Sequence, residues 1–384
     1  MATKKEYKYY QKILTILGSL TYLFSKNKVP YLNYRVTENL FCKAFSAKDL
    51  SRADVSADAC IDDEGIGIKT FINGNGKSLQ KVAEFNKDNI HFRGLKPKEL
   101  IDKVTDLRNE RISSTKRIYG LNSMIYHCIV RDAGKIKTFE CDMNLIDKKS
   151  IKILGSTKNT VAFKDSKNEY SFNITKSTLY KRFITKKVIF EIDVKILEDP
   201  FEVLEEKFQK VKKVYYKKTV SNKPFVILPL YSPKKKEVQL KSGLNQWNGG
   251  RKGKDDKITP RNVNEVYIPI PAWIHKRFPG FFLSRDTHFN LLLPDGNKLE
   301  AKVCQDGSKA LMSKHNADLG KWLLRTVLDL EEKELLTYEK LQEIGLDSVI
   351  IERIDKKTYS IDFRPSGTYE KFIEENQQVK GKLN

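Results

Sequence analysis

No run of about 18 apolar residues occurs in this sequence, which excludes a membrane-spanning helix. Cysteine is scarce: Cys42, Cys60, Cys128, Cys141 and Cys304 stand far apart and form no CxxC pair. Neither a zinc site nor a disulfide framework follows from such spacing, and a reducing cytoplasm fits it. Histidine is equally thin, with five residues, none of which opens an HxK motif of the phospholipase type. GxSxG is absent, so no nucleophile elbow is indicated. The N-terminal "MATKKEYKYYQKILTILGSLTYLF" lacks a small-residue cleavage site and keeps polar interruptions, so it reads as an amphipathic helix over 7–24 rather than a signal peptide.

Acid is in deficit. Asp and Glu number 49 against 71 Lys and Arg, a formal net charge of +22 over 384 residues. An excess of this size favours a polyanionic partner. Hydrophobic residues make up 40% of the chain and aromatics 10%, enough to bury a substantial core and to form two domains. "SNKP" marks a boundary near residue 222.

One stretch concentrates the chemistry: "ADVSADACIDDEGIGIKTFINGNGKSLQKVAEFNK", residues 53–87. "NGNGKS" suggests a phosphate loop, but Phe71 stands where a Walker loop needs its first glycine. The spacing predicts instead a hairpin of "ADVSADAC" and "IGIKTFI", then a connector, then a helix over "LQKVAEFNK". Asp54 and Asp58 share a face of the first strand and Gly67 and Lys69 a face of the second. Carboxylates beside a lysine suit metal-assisted hydrolysis of a phosphodiester. Asp62, Asp63 and Glu64 read as a solvated turn. An earlier helix is predicted over 36–47 with Thr37 as N-cap.

These residues resemble the PD-(D/E)xK nuclease family. Asp58 matches its first acid and Lys69 its lysine, whereas Gly67 occupies the position of the second acid. The resemblance implies that this acid has moved to Glu84 on the predicted helix, with Gln80 one turn before it, while Glu38 on the earlier helix matches the acid that many members place ahead of the hairpin. It implies Mg²⁺ as cofactor, held by Asp58 and one of these glutamates.

The second half differs in texture. "SGLNQWNGGRKGK" predicts a flexible arm carrying Asn245, Gln246, Trp247, Arg251 and Lys252, and "KVCQDGSKALMSKHN" a second with Gln305, Asp306, Ser308, Lys309, Ser313 and Lys314. Arg suits guanine, Asn and Gln suit adenine, and Asp suits cytosine. "NEVYIPIPAWIHKRFP" reads as an edge strand with prolines, and "FNLLLPDGNKLEAKVCQ" as a hairpin. "SGLNQWN", "NEVYIPIPAWIH", "LLLPDGNKLEAKVCQDGSKALMS" and "LGKWLLR" resemble the C-terminal domain of NgoFVII-type restriction endonucleases, itself similar to the DNA-binding pseudobarrel of plant B-three transcription factors. The resemblance covers about 225–384 and places the two arms at 242–254 and 302–315.

The expectation is therefore an α/β (α+β) PD-(D/E)xK-like domain over 1–222, followed by a mainly β pseudobarrel over 223–384. Together they would form a type II restriction endonuclease cutting double-stranded DNA in a prokaryotic cytoplasm. A homodimer, and a cognate DNA methyltransferase acting on the same site, are further partners this reading implies. The alternatives are a DNA-binding protein whose first half serves dimerisation or effector functions, and an RNA-processing protein.

Overall fold

The structure is a computed structural model that describes residues 3–51, 55–85, 92, 94–209, 223–252 and 258–378. The chain divides into two compact units: Met1–Ile112 with Leu121–Lys218, and Ser113–Gly120 with Thr219–Asn384. Among the described residues no helix is long and apolar enough to cross a membrane.

The first unit opens with helices α1 (Lys4–Ser19) and α2 (Tyr34–Phe45), followed by strands β1 (Lys48–Asp49), β2 (Ala59–Ile61), β3 (Glu64–Ile72) and β4 (Lys77–Glu84). Helix α3 (Pro97–Tyr119) leads to β5 (Ser123–Asp132), β6 (Lys135–Asp142), β7 (Lys152–Ser156), β8 (Thr160–Lys164), β9 (Glu169–Asn173), β10 (Thr178–Ile184) and β11 (Phe190–Asp193), then α4 (Pro200–Gln209). One sheet has the order β1-β2-β3-β5-β6-β11, and a second runs β4-β10-β9-β8-β7. Strands β3 and β5 are parallel, joined by the crossover that contains α3.

Period-2 alternation gives the first sheet two buried faces. Ile66, Ile68, Ile129 and Ile136 pack with Tyr10 and Leu14 of α1 and Phe41 and Phe45 of α2. On the other face Phe71, Tyr126 and Phe139 meet the second sheet, where Phe183 of β10 contacts both Phe71 and Tyr126. The far side of the second sheet packs Phe163, Phe172 and Leu179 on Leu100, Ile101, Val104 and Leu107 of α3. His127 is buried, with Nε2 3.2 Å from the Tyr10 hydroxyl and Nδ1 2.8 Å from Glu140 Oε1.

Three local expectations are corrected. Helix α2 starts earlier and is capped by Asn33, whose Oδ1 accepts from Arg35 N at 2.9 Å; Thr37 lies inside it. "LQKVAEFNK" is no helix: residues 77–84 are β4, paired with β10 from Lys77↔Ile184 to Glu84↔Thr178. A ladder with a distant strand outweighs local helical spacing. The strand predicted over "ADVSADAC" shrinks to β2, because Val55 and Ser56 form a bend.

The second unit contains β12 (Phe225–Pro229), a 3₁₀ helix (Gly243–Asn248), β13 (Arg251–Lys252), β14 (Ile258–Thr259), β15 (Ile268–Pro269) and α5 (Ala272–Arg277). Strands β16 (His288–Leu292), β17 (Lys298–Cys304) and β18 (Ala310–Ser313) follow. Helix α6 (Asp318–Gly320) runs on as a π-helix over Lys321–Val327, and α7 (Tyr338–Ile344), β19 (Leu346–Arg353), β20 (Thr358–Pro365) and α8 (Thr368–Gln378) complete the unit. Seven strands form one sheet in the order β12-β19-β20-β16-β17-β18-β15, and its two end strands approach each other. The sheet is thus a nearly closed barrel, which removes most of its exposed edge. The β16–β17 hairpin turns at Gly296, whose φ of 90° suits glycine. "EVYIPIPAWIHKRFP" contributes only two strand residues, at the sheet's end, because after Pro271 the chain turns into α5.

Candidate functional site

Strand β2 pairs with β3 only from Ala59↔Ile66 to Ile61↔Glu64. Beyond Ile66 the edge of β3 has lost its partner strand, and a side chain takes over. Asp58 Oδ2 accepts from Ile68 N at 2.7 Å. The Asp58 main chain is fixed on both sides, donating from N to Ile66 O at 2.8 Å and accepting from Leu50 N at 2.9 Å. Lys69 is the next residue of β3, half-buried, with no ion-pair partner among the described residues. Glu38 reaches the same place from α2. It is 6% exposed, and its Oε2 lies 2.9 Å from Arg35 Nη1 without hydrogen-bond geometry. That oxygen is therefore buried without a hydrogen bond.

The electrostatics describe one cluster. Burial, then the negative charge of Asp58, push the Glu38 carboxyl up to about 7, against the opposing charges of Arg35 and Lys69. Burial also raises the Asp58 carboxyl, against Lys69, the Ile68 N–H and Arg35. Two carboxylates that repel each other in a poorly solvated site, one with an orphaned oxygen, are a donor set suited to a divalent cation. Among the described residues no group of three or more His, Cys, Asp or Glu could hold a metal ion. Mg²⁺ does not require one, since it usually keeps several waters and uses one or two carboxylates with substrate phosphates. The residues present fit that ion.

Asp58 and Glu38 are thus within electrostatic reach of each other and of Lys69. Glu84 does not join them: it lies exposed on β4, in the other sheet, 2.8 Å from Lys81 Nζ, and Gln80 is on the same strand. Asp54 lies outside the described residues. A Cβ at Gly67 would stand 2.7 Å from Met143 Cε and 3.1 Å from Tyr126 Cδ1, so the position of the absent second acid is filled by those two side chains. Arg35 and Asp49, whose charges act on both acids, were not singled out from the sequence. The spacing of Arg35 and Glu38, one turn apart on a helix, was a signal for the first.

In the second unit the flexible arm predicted over 242–254 is corrected for residues 243–248, which form the 3₁₀ helix. Asn245 is 0% exposed, with Nδ2 donating to Leu336 O and Oδ1 accepting from Leu336 N, both at 2.9 Å. Gln246 is buried and donates from Nε2 to Glu265 Oε1 at 2.8 Å; Trp247 is buried too. These three side chains hold the fold and present nothing to a base edge. Ser313 is likewise buried, donating to His315 O and accepting from Leu319 N.

Arg251, Asp306, Lys309 and Lys314 are exposed, and Gln305 is half-buried; the Lys252 side chain lies outside the described residues. Asp306 is paired with Arg285 at 3.1 Å and Lys314 with Glu300 at 2.9 Å. Arg251 and Arg261 both bind buried Glu265. Burial works against the Glu265 charge, but hydrogen bonds from Arg251, Gln246 and Arg261 hold its carboxyl below the usual range. A shallow hollow of about 470 Å³ joins Arg251 and Arg261 to His315, Asn316 and Lys321, bringing the ends of the two arm segments to one basic surface. Arg261, His315 and Lys321 were missed from the sequence because only the fold makes them neighbours.

Residues 218–355 match the family model of the NgoFVII C-terminal B3-like DNA-binding domain. The C-terminal half therefore carries a B3-like DNA-binding domain of restriction-enzyme type, and the nearly closed barrel agrees with that architecture. The match supports DNA as the partner of this half. No curated protein matches the chain.

Proposed function

We propose that the chain is a type II restriction endonuclease: a Mg²⁺-dependent, PD-(D/E)xK-like nuclease joined to a domain that recognises a short double-stranded DNA site. The observation that carries this reading is that Glu38, Asp58 and Lys69 lie within electrostatic reach of one another at the open edge of β3, in a chain whose other half carries a restriction-enzyme DNA-binding domain.

Asp58 and Glu38 would hold the metal, which when bound activates water and stabilises charge on the scissile phosphate. Lys69 contributes a fixed positive charge beside the two acids, placed to orient the attacking water and to stabilise negative charge on the phosphate as it becomes five-coordinate. The Ile68 N–H holds one Asp58 oxygen in place and so limits the reorganisation needed during reaction. In the second unit the surface around Arg251, Lys309 and His315 would track the duplex, with phosphate contacts fixing register and base-edge contacts setting sequence.

The test is incubation of plasmid DNA with the full chain, with and without Mg²⁺. Discrete Mg²⁺-dependent fragments are expected. A second reading, a DNA-binding protein without catalysis, rests on the match of the second half to a DNA-binding domain; it predicts shifted but uncut DNA under both conditions.

A further inference from the structure

Strands β5 and β6 place Tyr126 opposite Cys141 and Cys128 opposite Phe139, so the two cysteines are diagonal neighbours on the face turned to β10. Lys181 of β10 reaches into this layer. It is 5% exposed, and Nζ lies 3.9 Å from Cys141 Sγ. Its remaining surroundings are aromatic, with Nζ 5.5 Å from the Tyr126 ring centroid and 4.7 Å from that of Phe183. No carboxylate pairs with Lys181 among the described residues. A buried ammonium without an anionic partner is expensive. The sulfur is the one atom within reach that can become that partner, by ionising.

We propose that Cys141 is a modification site: a thiolate, paired with Lys181, that reacts with small disulfides and other soft electrophiles. The other four cysteines contrast with it. Burial pushes the thiols of Cys60, Cys128 and Cys304 up and that of Cys42 up to about 12. Only Cys141 moves the other way, to about 7, through the hydrogen bond from Cys128 and the Lys181 charge, against the effect of its own burial. Cys141 is also half-exposed, whereas Cys128 is fully buried. In the reaction the Cys141 sulfur attacks one sulfur of a low-molecular-weight disulfide. A new S–S bond forms, the old one breaks, and the second half leaves as a thiolate, with no further oxidant. Both cysteines are free in the structure, and the proposed partner is an external disulfide rather than Cys128.

The experiment is limited alkylation of the full chain with iodoacetamide, followed by mass spectrometry of its cysteine peptides. At pH 7 Cys141 is expected to react first, and Lys181→Met to slow it measurably, because loss of the ammonium lowers the thiolate fraction by more than the less acidic thiol gains in nucleophilicity. In the unmutated protein the Cys141 rate should be half-maximal near pH 7, and 2-hydroxyethyl disulfide should add to Cys141 before any other cysteine. Preferential reaction at Cys42, or a Cys141 rate that climbs past pH 8.5 without levelling, would overturn the proposal.

Discussion

Asp58 Oδ2 accepts the main-chain N–H of Ile68 at 2.7 Å, a hydrogen bond that a longer β2 would otherwise supply. A side-chain carboxylate thereby stands in for a missing stretch of strand, and the end of β2 fixes where the candidate site can be.

Asp58→Asn keeps an oxygen for Ile68 and removes the charge. The expected result is an intact fold, retained DNA binding and at least about a 100-fold loss of Mg²⁺-dependent cleavage, in line with the size of such electrostatic contributions. Lys69→Ala should behave alike. Glu84→Gln should cut at the normal rate. A plasmid-cleavage series run beside a gel-shift assay decides between Glu38 and Glu84, and full activity in Lys69→Ala would sink the site.

Glu38 gives the metal-free protein a pH signature. Its folded carboxyl titrates near 7 against an ordinary value of 4.5. Between these values the folded state binds more protons than the unfolded one, so stability is fully present at low pH and falls as pH rises through the interval. Glu38→Gln should therefore stabilise the fold at pH 8 by an amount on the order of 2 kcal/mol, seen as a higher melting temperature, with the gain vanishing near pH 4.5. Mg²⁺ should stabilise the unmutated protein at pH 8 and the variant much less. Thermal melts across pH, with and without Mg²⁺, check both expectations.

Gly67 tests why the second acid is elsewhere. Gly67→Ala pushes a methyl group against Met143 and Tyr126 and should lower stability by about 1–3 kcal/mol. Gly67→Glu should be worse, and should fail to restore cleavage to Glu38→Gln. Urea denaturation measures the first effect; rescue of the double variant would refute the steric argument.

Asn245 and Lys309 should separate folding from recognition. Asn245→Ala leaves the Leu336 N–H and carbonyl without their partner, at a cost of about 1–3 kcal/mol, while the folded fraction still binds DNA. Lys309→Ala should leave stability nearly unchanged and weaken DNA binding, whereas Arg251→Ala should weaken binding and also lower stability, because buried Glu265 loses one of its guanidinium partners. Where the lost contact is to phosphate, the salt dependence of log K should fall by about one unit of slope. Binding titrations at several salt concentrations distinguish the two classes.

Much of this was legible in the sequence. The β-branched and aromatic "IGIKTFI" could hardly be other than a strand, and Asp58 and Lys69 came with it. The Asp-Gly turn announced the β16–β17 hairpin. The segments around 245 and 310 carried the resemblance later matched by the DNA-binding family model. Glu84 misled because Leu79, Val82 and Ala83 have helical spacing, and only pairing with β10, about a hundred residues on in the chain, makes that segment a strand.

Composition and local pattern determined by themselves that this protein is basic, has a strand-rich second half and carries an aspartate a short turn ahead of a lysine-bearing strand, because charge and side-chain alternation are properties of the chain alone. The tertiary structure decided which glutamate is buried near Asp58, which amides face the core and which thiol meets a buried ammonium. Those outcomes depend on desolvation and on partners supplied by distant strands, and neither can be read from neighbours in sequence.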